Sequence, residues 1–353
     1  MLHYFILLAY ILVVCIIPMK NNRAKLLLCF VPFTLFFGSR LEWTSDYFNY
    51  EELFNKIHDN KMYLFEINIS EIGFELFCAI LPSYRSLIWV VTILYSLSLF
   101  MLFEKYIVSK YWPMAFLLLF INHQLLLGTI SAIRSCIVAS IFIFAIHAKL
   151  KNVKILPYLL LLIAFLFHRS AVLLFIILIP ERFKHSLVLK KMMFFLIFVS
   201  IFISFVNPDF WGSKLIGILE SNRSFESYSG YITSESQSIF FYINVIVNIF
   251  FIITNVYLLN KSKNYAMWLF LSIVYFTIIS IPNIGMVSRF TSYFGPALLV
   301  GLSAWSEIGV KYQLLKYTYF SILVASTLYF FVSDFPQYSG FYLYRNYNSI
   351  FFQ

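Results

Sequence analysis

KLKNVKILPYLLLLIAFLFHRSAVLLFIILIPERFKHSLVLKK, residues 149–191, decides how the chain is read. Its apolar part, 155–179, is 25 residues long, and about 20 apolar residues suffice to cross a bilayer. His168 and Arg169 interrupt it, and both flanks are basic: Lys149, Lys151 and Lys154 before, Arg182, Lys184, Lys190 and Lys191 after. A single span would place one basic cluster outside, against the preference of Lys and Arg for the cytoplasmic side. A hairpin that enters from the cytoplasm, turns at His168-Arg169 and returns satisfies both flanks. Each arm is then too short to cross. The turn lies at membrane depth, where irregular backbone is tolerated only inside protein or against a wet cavity. Ionisable side chains at such a turn are functional candidates.

Composition agrees with a membrane setting. The chain is 61% hydrophobic and 12% charged, too apolar for a soluble domain. The net charge of +10 would suggest nucleic acid in a soluble protein. Here it reads as the topology signal of cytoplasmic loops, so no nucleic acid is expected. Cys15, Cys29, Cys78 and Cys136 are scattered through apolar stretches without paired spacing and read as small core residues. The first apolar run lacks a basic leader and a small-residue cleavage site, so it reads as a retained span. There is no internal repeat.

Taken in order, the expected spans are 3–19, 26–39, 86–103, 112–127, 129–148, 192–206, 238–259, 265–281, 288–306 and 317–332, with the hairpin 155–179 between the fifth and sixth. The expected fold is therefore an all-α polytopic membrane protein, a single integral domain with about ten full spans and one re-entrant pair. Outer loops fall at 40–70 and 207–237, and an outer tail at 334–353. Residues 71–81 read as a short helix dipping into the outer face, stopped by Pro82. This layout puts 16 of the 26 Lys and Arg on the cytoplasmic side, with only Glu104, Glu181 and Glu307 among the acids there. Shifting it by one span reverses the asymmetry. In the unshifted layout both termini are outside.

Five arginines remain at the outer ends of spans: Arg40, Arg85, Arg134, Arg169 and Arg289. Arg offers a planar fork that grips phosphate through two hydrogen bonds, which Lys does not. Long cationic side chains that reach up to an interface account for the same positions, and Arg40 is assigned to that anchoring role. Arg134, Arg169 and Arg289 each follow a turn or helix break, which favours a ligand. His168 shares the tip with Arg169; His123 is a weaker candidate at an outer turn. Asp46, Tyr47 and Tyr50 stand together in SDYFNY, and Glu71 and Glu75 lie one turn apart in EIGFELF. Tyr293 follows Arg289 by one turn. No His or carboxylate pair has metal-site spacing, so no metal and no cofactor are expected.

These segments resemble, in order, the EpsG-like branch of the Wzy-type O-antigen and exopolysaccharide polymerases. The carriers are the D-Y-x-x-Y of residues 46–50, the E-x-G-F-E-L-F of 71–77, the Arg134 of SAIRSCIVAS, FLFHRSAVLLF around His168, and SRFTSYFG with Arg289 and Tyr293. Family members carry a small or hydroxyl residue after the histidine, whereas here Arg169 intervenes before Ser170. The resemblance implies a fold related to GT-C glycosyltransferases. It implies transfer of a growing glycan from undecaprenyl diphosphate onto a lipid-linked repeat unit at the outer face of the bacterial inner membrane. Donor and acceptor are both undecaprenyl-diphosphate-linked oligosaccharides, and a chain-length regulator is an implied partner. In that reading His168 or Asp46 takes the acceptor proton. Arg134, Arg169 and Arg289 bind diphosphate, and Glu75, Tyr50 and Tyr293 orient substrate. Rival readings are a lipid-glycan flippase or transporter, an O-acyltransferase and an O-antigen ligase.

Overall fold

The computed structural model describes residues 2–42, 46–59, 71–122, 125–178, 239–262, 264–280, 285–308, 312–337 and 348–349. The expected span 192–206, the loop 207–237 and His123 lie outside the described residues. The chain divides into two compact units, one of residues 1–177 with 327–353, the other of residues 178–326.

The first unit opens with α1 (Leu2–Ile16) and α2 (Asn22–Gly38). The Asn21 side chain starts α2 by accepting from the Arg23 and Ala24 N–H groups at 3.0 and 3.1 Å. The stretch read as the outer loop 40–70 contains a helix, α3 (Tyr47–Asp59). Its buried residues Tyr47, Tyr50, Phe54 and Ile57 recur at helical spacing. The short helix expected near 71–81 is present as α4 (Ile72–Ile80). It stops at Leu81, whose backbone is extended before Pro82. Ser83 and Ser86 then cap α5 (Tyr84–Tyr106) reciprocally.

The expected span 112–127 does not form as one helix. Helix α6 (Trp112–Ile121) ends after ten residues at Asn122, about 15 Å of length against about 30 Å of hydrocarbon. Most of its side chains are buried, so its apolar composition serves packing rather than lipid contact. The chain continues through α7 (Leu127–Ser131), a break at Ala132, and α8 (Ile133–Leu150). Helix α9 (Leu156–Phe167) ends at His168, which is extended, and the chain resumes in 3-10 geometry over Arg169–Leu178. The break expected at His168 is therefore present. Both arms are short for a span, about 18 and 20 Å.

Two described helices, α5 and α8, are long and apolar enough to cross a membrane. Several others expose large apolar side chains in rows, such as Ile6, Val13 and Ile16 of α1 and Leu159, Leu162 and Ile163 of α9. Contiguous apolar faces of this kind are matched by lipid, not by water.

The second unit packs α10 (Ile239–Lys261), α11 (Ala266–Ile279) and α12 (Gly285–Ala304) in succession. Phe251 stacks on Phe276 at 4.7 Å, with Tyr319 edge-on at 5.0 Å. Tyr319 belongs to α13 (Gln313–Gln337), a longer helix than the expected 317–332. Near the chain's end, Asn348–Ser349 forms a two-residue antiparallel ladder with Arg40–Leu41.

Arg40 is not an interfacial anchor. It is 2% exposed. Its Nη1 donates to the Phe37 carbonyl at 2.7 Å and to the Thr92 hydroxyl at 2.9 Å, and its Nη2 donates to the Ile130 carbonyl at 3.3 Å. The guanidinium thus sits against the carbonyl-rich end of α2 and ties it to α5 and α7, where the helix dipole favours a cation. Gly38, just before it, lets the Trp89 ring close in: a Cβ at Gly38 would lie 2.4 Å from that ring. Lys cannot reach three acceptors in a fork geometry. Arg40→Lys should therefore lower stability by about 1.5–3 kcal/mol, the scale of a charged hydrogen bond, read as a lower melting temperature in detergent. An unchanged melting temperature would return Arg40 to the interface.

Candidate active site

Three chain breaks meet at one carboxylate. Glu71 occupies the N-cap position of α4, Arg134 is the second residue of α8 after the break at Ala132, and His168 is the break after α9. Helices α4 and α9 approach closely because residue 73 is glycine. A Cβ there would stand 3.0 Å from the Leu166 carbonyl carbon and oxygen. The Phe77 and Phe167 rings, 5.8 Å apart and edge-to-face, continue the contact. At the break, His168 keeps its N–H on the Ala164 carbonyl at 3.1 Å, and its own carbonyl accepts from the Ala171 N–H at 3.0 Å. The backbone is satisfied, and the side chain turns to Glu71.

Glu71 divides its two oxygens. Oε2 accepts from Arg134 Nη1 in an ion pair. Oε1 accepts from His168 Nδ1 at 3.1 Å. An ionised carboxylate only accepts, so Nδ1 carries a proton, and in the neutral form of the ring the lone pair lies on Nε2. Arg134 Nε donates to the Tyr50 hydroxyl at 3.4 Å, near the limit of a hydrogen bond. The guanidinium lies 5.5 Å from the Tyr50 ring centre and 5.8 Å from that of Phe74, within reach of cation–π attraction. Burial alone would raise the Glu71 carboxyl; the His168 hydrogen bond and the Arg134 charge outweigh it and hold it below the ordinary carboxylate range. With a lowered value, the stabilisation is present at neutral pH and is lost as pH falls through it.

Of the residues expected from sequence, His168, Arg134 and Tyr50 come together here. Glu75 lies one turn beyond Glu71 on the same helix and is buried. Asp46 precedes α3, and its backbone carbonyl accepts the Tyr50 N–H at 3.0 Å. Arg169 is exposed. Arg289 and the buried Tyr293 lie on α12, in the second unit. Sequence reasoning named Glu71 together with Glu75 but gave the substrate role to Glu75 alone. Glu71 was visible as the partner of Glu75 at one-turn spacing, but its two contacts reach 63 and 97 residues along the chain.

The arrangement has the parts of a general base held by an orienting carboxylate, with a cation beside it. It depends on the α4–α9 approach. Gly73→Ala should push α4 off the Leu166 backbone, cost about 1–3 kcal/mol as overpacking does, and loosen the Glu71–His168 contact. A melting curve of the purified variant checks this, and wild-type stability would mean that the two helices pass at a looser distance.

No curated protein and no solved structure matches the chain. The model of the EpsG family matches residues 25–346, a stretch that takes in Tyr50, Glu71, Arg134, His168 and the Arg289-Tyr293 pair. With its helical build and its exposed apolar faces, the chain is a membrane protein of the EpsG family.

Proposed function

We propose that the protein is a polysaccharide polymerase. It transfers a growing glycan from undecaprenyl diphosphate onto the non-reducing end of a lipid-linked repeat unit, at the outer face of the inner membrane. The observation that carries this reading is the Glu71 carboxylate shared by His168 and Arg134, in a chain of the EpsG family. The finer architecture proposed with it is a GT-C-related bundle of about ten spans, with both termini outside and a re-entrant pair ending at His168. The ladder between Arg40–Leu41 and Asn348–Ser349 sets residues 348–349 beside the C-terminal end of α2, in keeping with a layout that assigns 40–70 and 334–353 to the same side. A chain-length regulator is the proposed protein partner.

In this mechanism the acceptor hydroxyl attacks the anomeric carbon of the donor glycan. Its proton passes to His168 Nε2, the atom left open by the Glu71 contact. Glu71 then faces an imidazolium and stabilises it. The bond from the anomeric carbon to the diphosphate oxygen breaks, and negative charge grows on the leaving diphosphate. Arg134 meets that charge in a partly dry site, where fixed charges act strongly. Tyr50 and Phe74 hold the guanidinium plane. From the sequence alone, Arg289 is proposed as a phosphate ligand, and Asp46, Arg169 and Tyr293 as contacts to glycan and diphosphate.

Deletion of the gene should leave surface polysaccharide with single-repeat caps; loss of all caps would indicate a ligase instead. His168→Gln should insert normally and lower chain formation about 10²–10⁴-fold, the scale of general-base loss. Arg134→Lys keeps the charge but loses the fork, and should lower polymerisation about ten- to hundredfold, in line with one charged hydrogen bond. Polymer banding of cells carrying each variant reads both effects. Normal chain length and yield in both variants would defeat the mechanism.

A further inference from the structure

Glu75 follows Glu71 by one turn on the same face of α4. Its side chain is 3% exposed. Neither of its oxygens has a hydrogen-bond partner among the described residues. The contrast with Glu71, satisfied on both oxygens a turn away, is sharp. A carboxyl buried without partners carries a desolvation cost that folding alone does not return. Apolar neighbours would suit the site better: Phe74 and Cys78, which flank it on the helix, are both buried. A partner that arrives from outside the chain would offset that cost.

The chemistry of the site narrows that partner. Burial, and then the Glu71 charge, push the Glu75 carboxyl up, toward its neutral acid form. A neutral acid donates one hydrogen bond and accepts others. A diphosphate is anionic and an acceptor, and it is already matched by Arg134. A sugar hydroxyl is neutral, donates and accepts, and so complements Glu75 in either protonation state.

We propose that Glu75 binds hydroxyl groups of the lipid-linked glycan, making it the residue of this site that reads sugar while Arg134 takes phosphate. The proposal rests on the polymerase reading. The Cβ atoms of Glu71 and Glu75 are about 5–6 Å apart, as one-turn neighbours are. The sugar contact therefore stands one helical turn from the Glu71–Arg134 pair.

The test uses purified full-length protein in lipid nanodiscs and two probes. One is undecaprenyl diphosphate without sugar. The other is the undecaprenyl-diphosphate-linked repeat unit extracted from cells that lack the polymerase. Glu75→Leu removes the hydrogen-bonding group at similar volume, and Glu75→Gln keeps one donor and one acceptor. Glu75→Leu should melt no lower than wild type, because it relieves an unpartnered burial. It should bind the sugar-free lipid as wild type does and bind the repeat-unit lipid about tenfold or more weakly, the scale of the hydrogen bonds lost. Glu75→Gln should recover most of that loss. Wild-type affinity of Glu75→Leu for the repeat-unit lipid would overturn the assignment. A lower melting temperature with equal loss of both lipids would overturn it too, by showing a structural role. If wild-type protein binds neither lipid, the polymerase reading itself falls, and this proposal with it.

Discussion

One carboxylate shared between a guanidinium and an imidazole is the constraint on which the site depends. Glu71 joins Arg134 and His168 across sequence separations of 63 and 97 residues. Both partners stand at chain breaks, and that is not incidental. A residue inside a regular helix has its backbone satisfied and its side chain directed by the helical period. A residue at a break can turn its side chain into the space between elements, while the freed N–H and C=O groups find local partners, as those of His168 do. The price is an interrupted helix in an apolar setting, tolerated only where protein or water covers it.

Two arginines with similar sequence surroundings show how context divides roles. Arg40 and Arg134 both sit at helix ends beside apolar runs. Arg40 is enclosed by two carbonyls and a hydroxyl and ties helices together. Arg134 is about a quarter exposed, held by a carboxylate and two aromatic rings. The first has both terminal nitrogens engaged within the fold. The second faces a site that a ligand can share, because the guanidinium has five N–H donors.

The helical membrane class was legible from apolar run lengths, and the break at His168 from two polar side chains inside one such run. Helix α4 was legible because Pro82 ends it. Helix α3 was hidden by its polar residues, although Tyr47, Tyr50, Phe54 and Ile57 carry the helical period. The run at 112–127 reads as a span because nothing in its composition separates lipid contact from core packing; Asn122 ends the helix after ten residues. Arg40 could not be told from an anchor, since a buried and a snorkelling arginine have the same local sequence. Glu71 could not be ranked above Glu75, since what distinguishes them is contact with elements far along the chain.

The account's central claim is that Glu71 and His168 act as one unit in glycan transfer. A double-mutant cycle on the turnover of purified protein with lipid-linked repeat units tests it most directly. Residues that work as a unit are strongly non-additive. Glu71→Gln and His168→Gln should each slow chain formation, and the double variant should be about as slow as His168→Gln alone. Rate losses that multiply in the double variant would contradict the account, because they would mean that the two residues act independently.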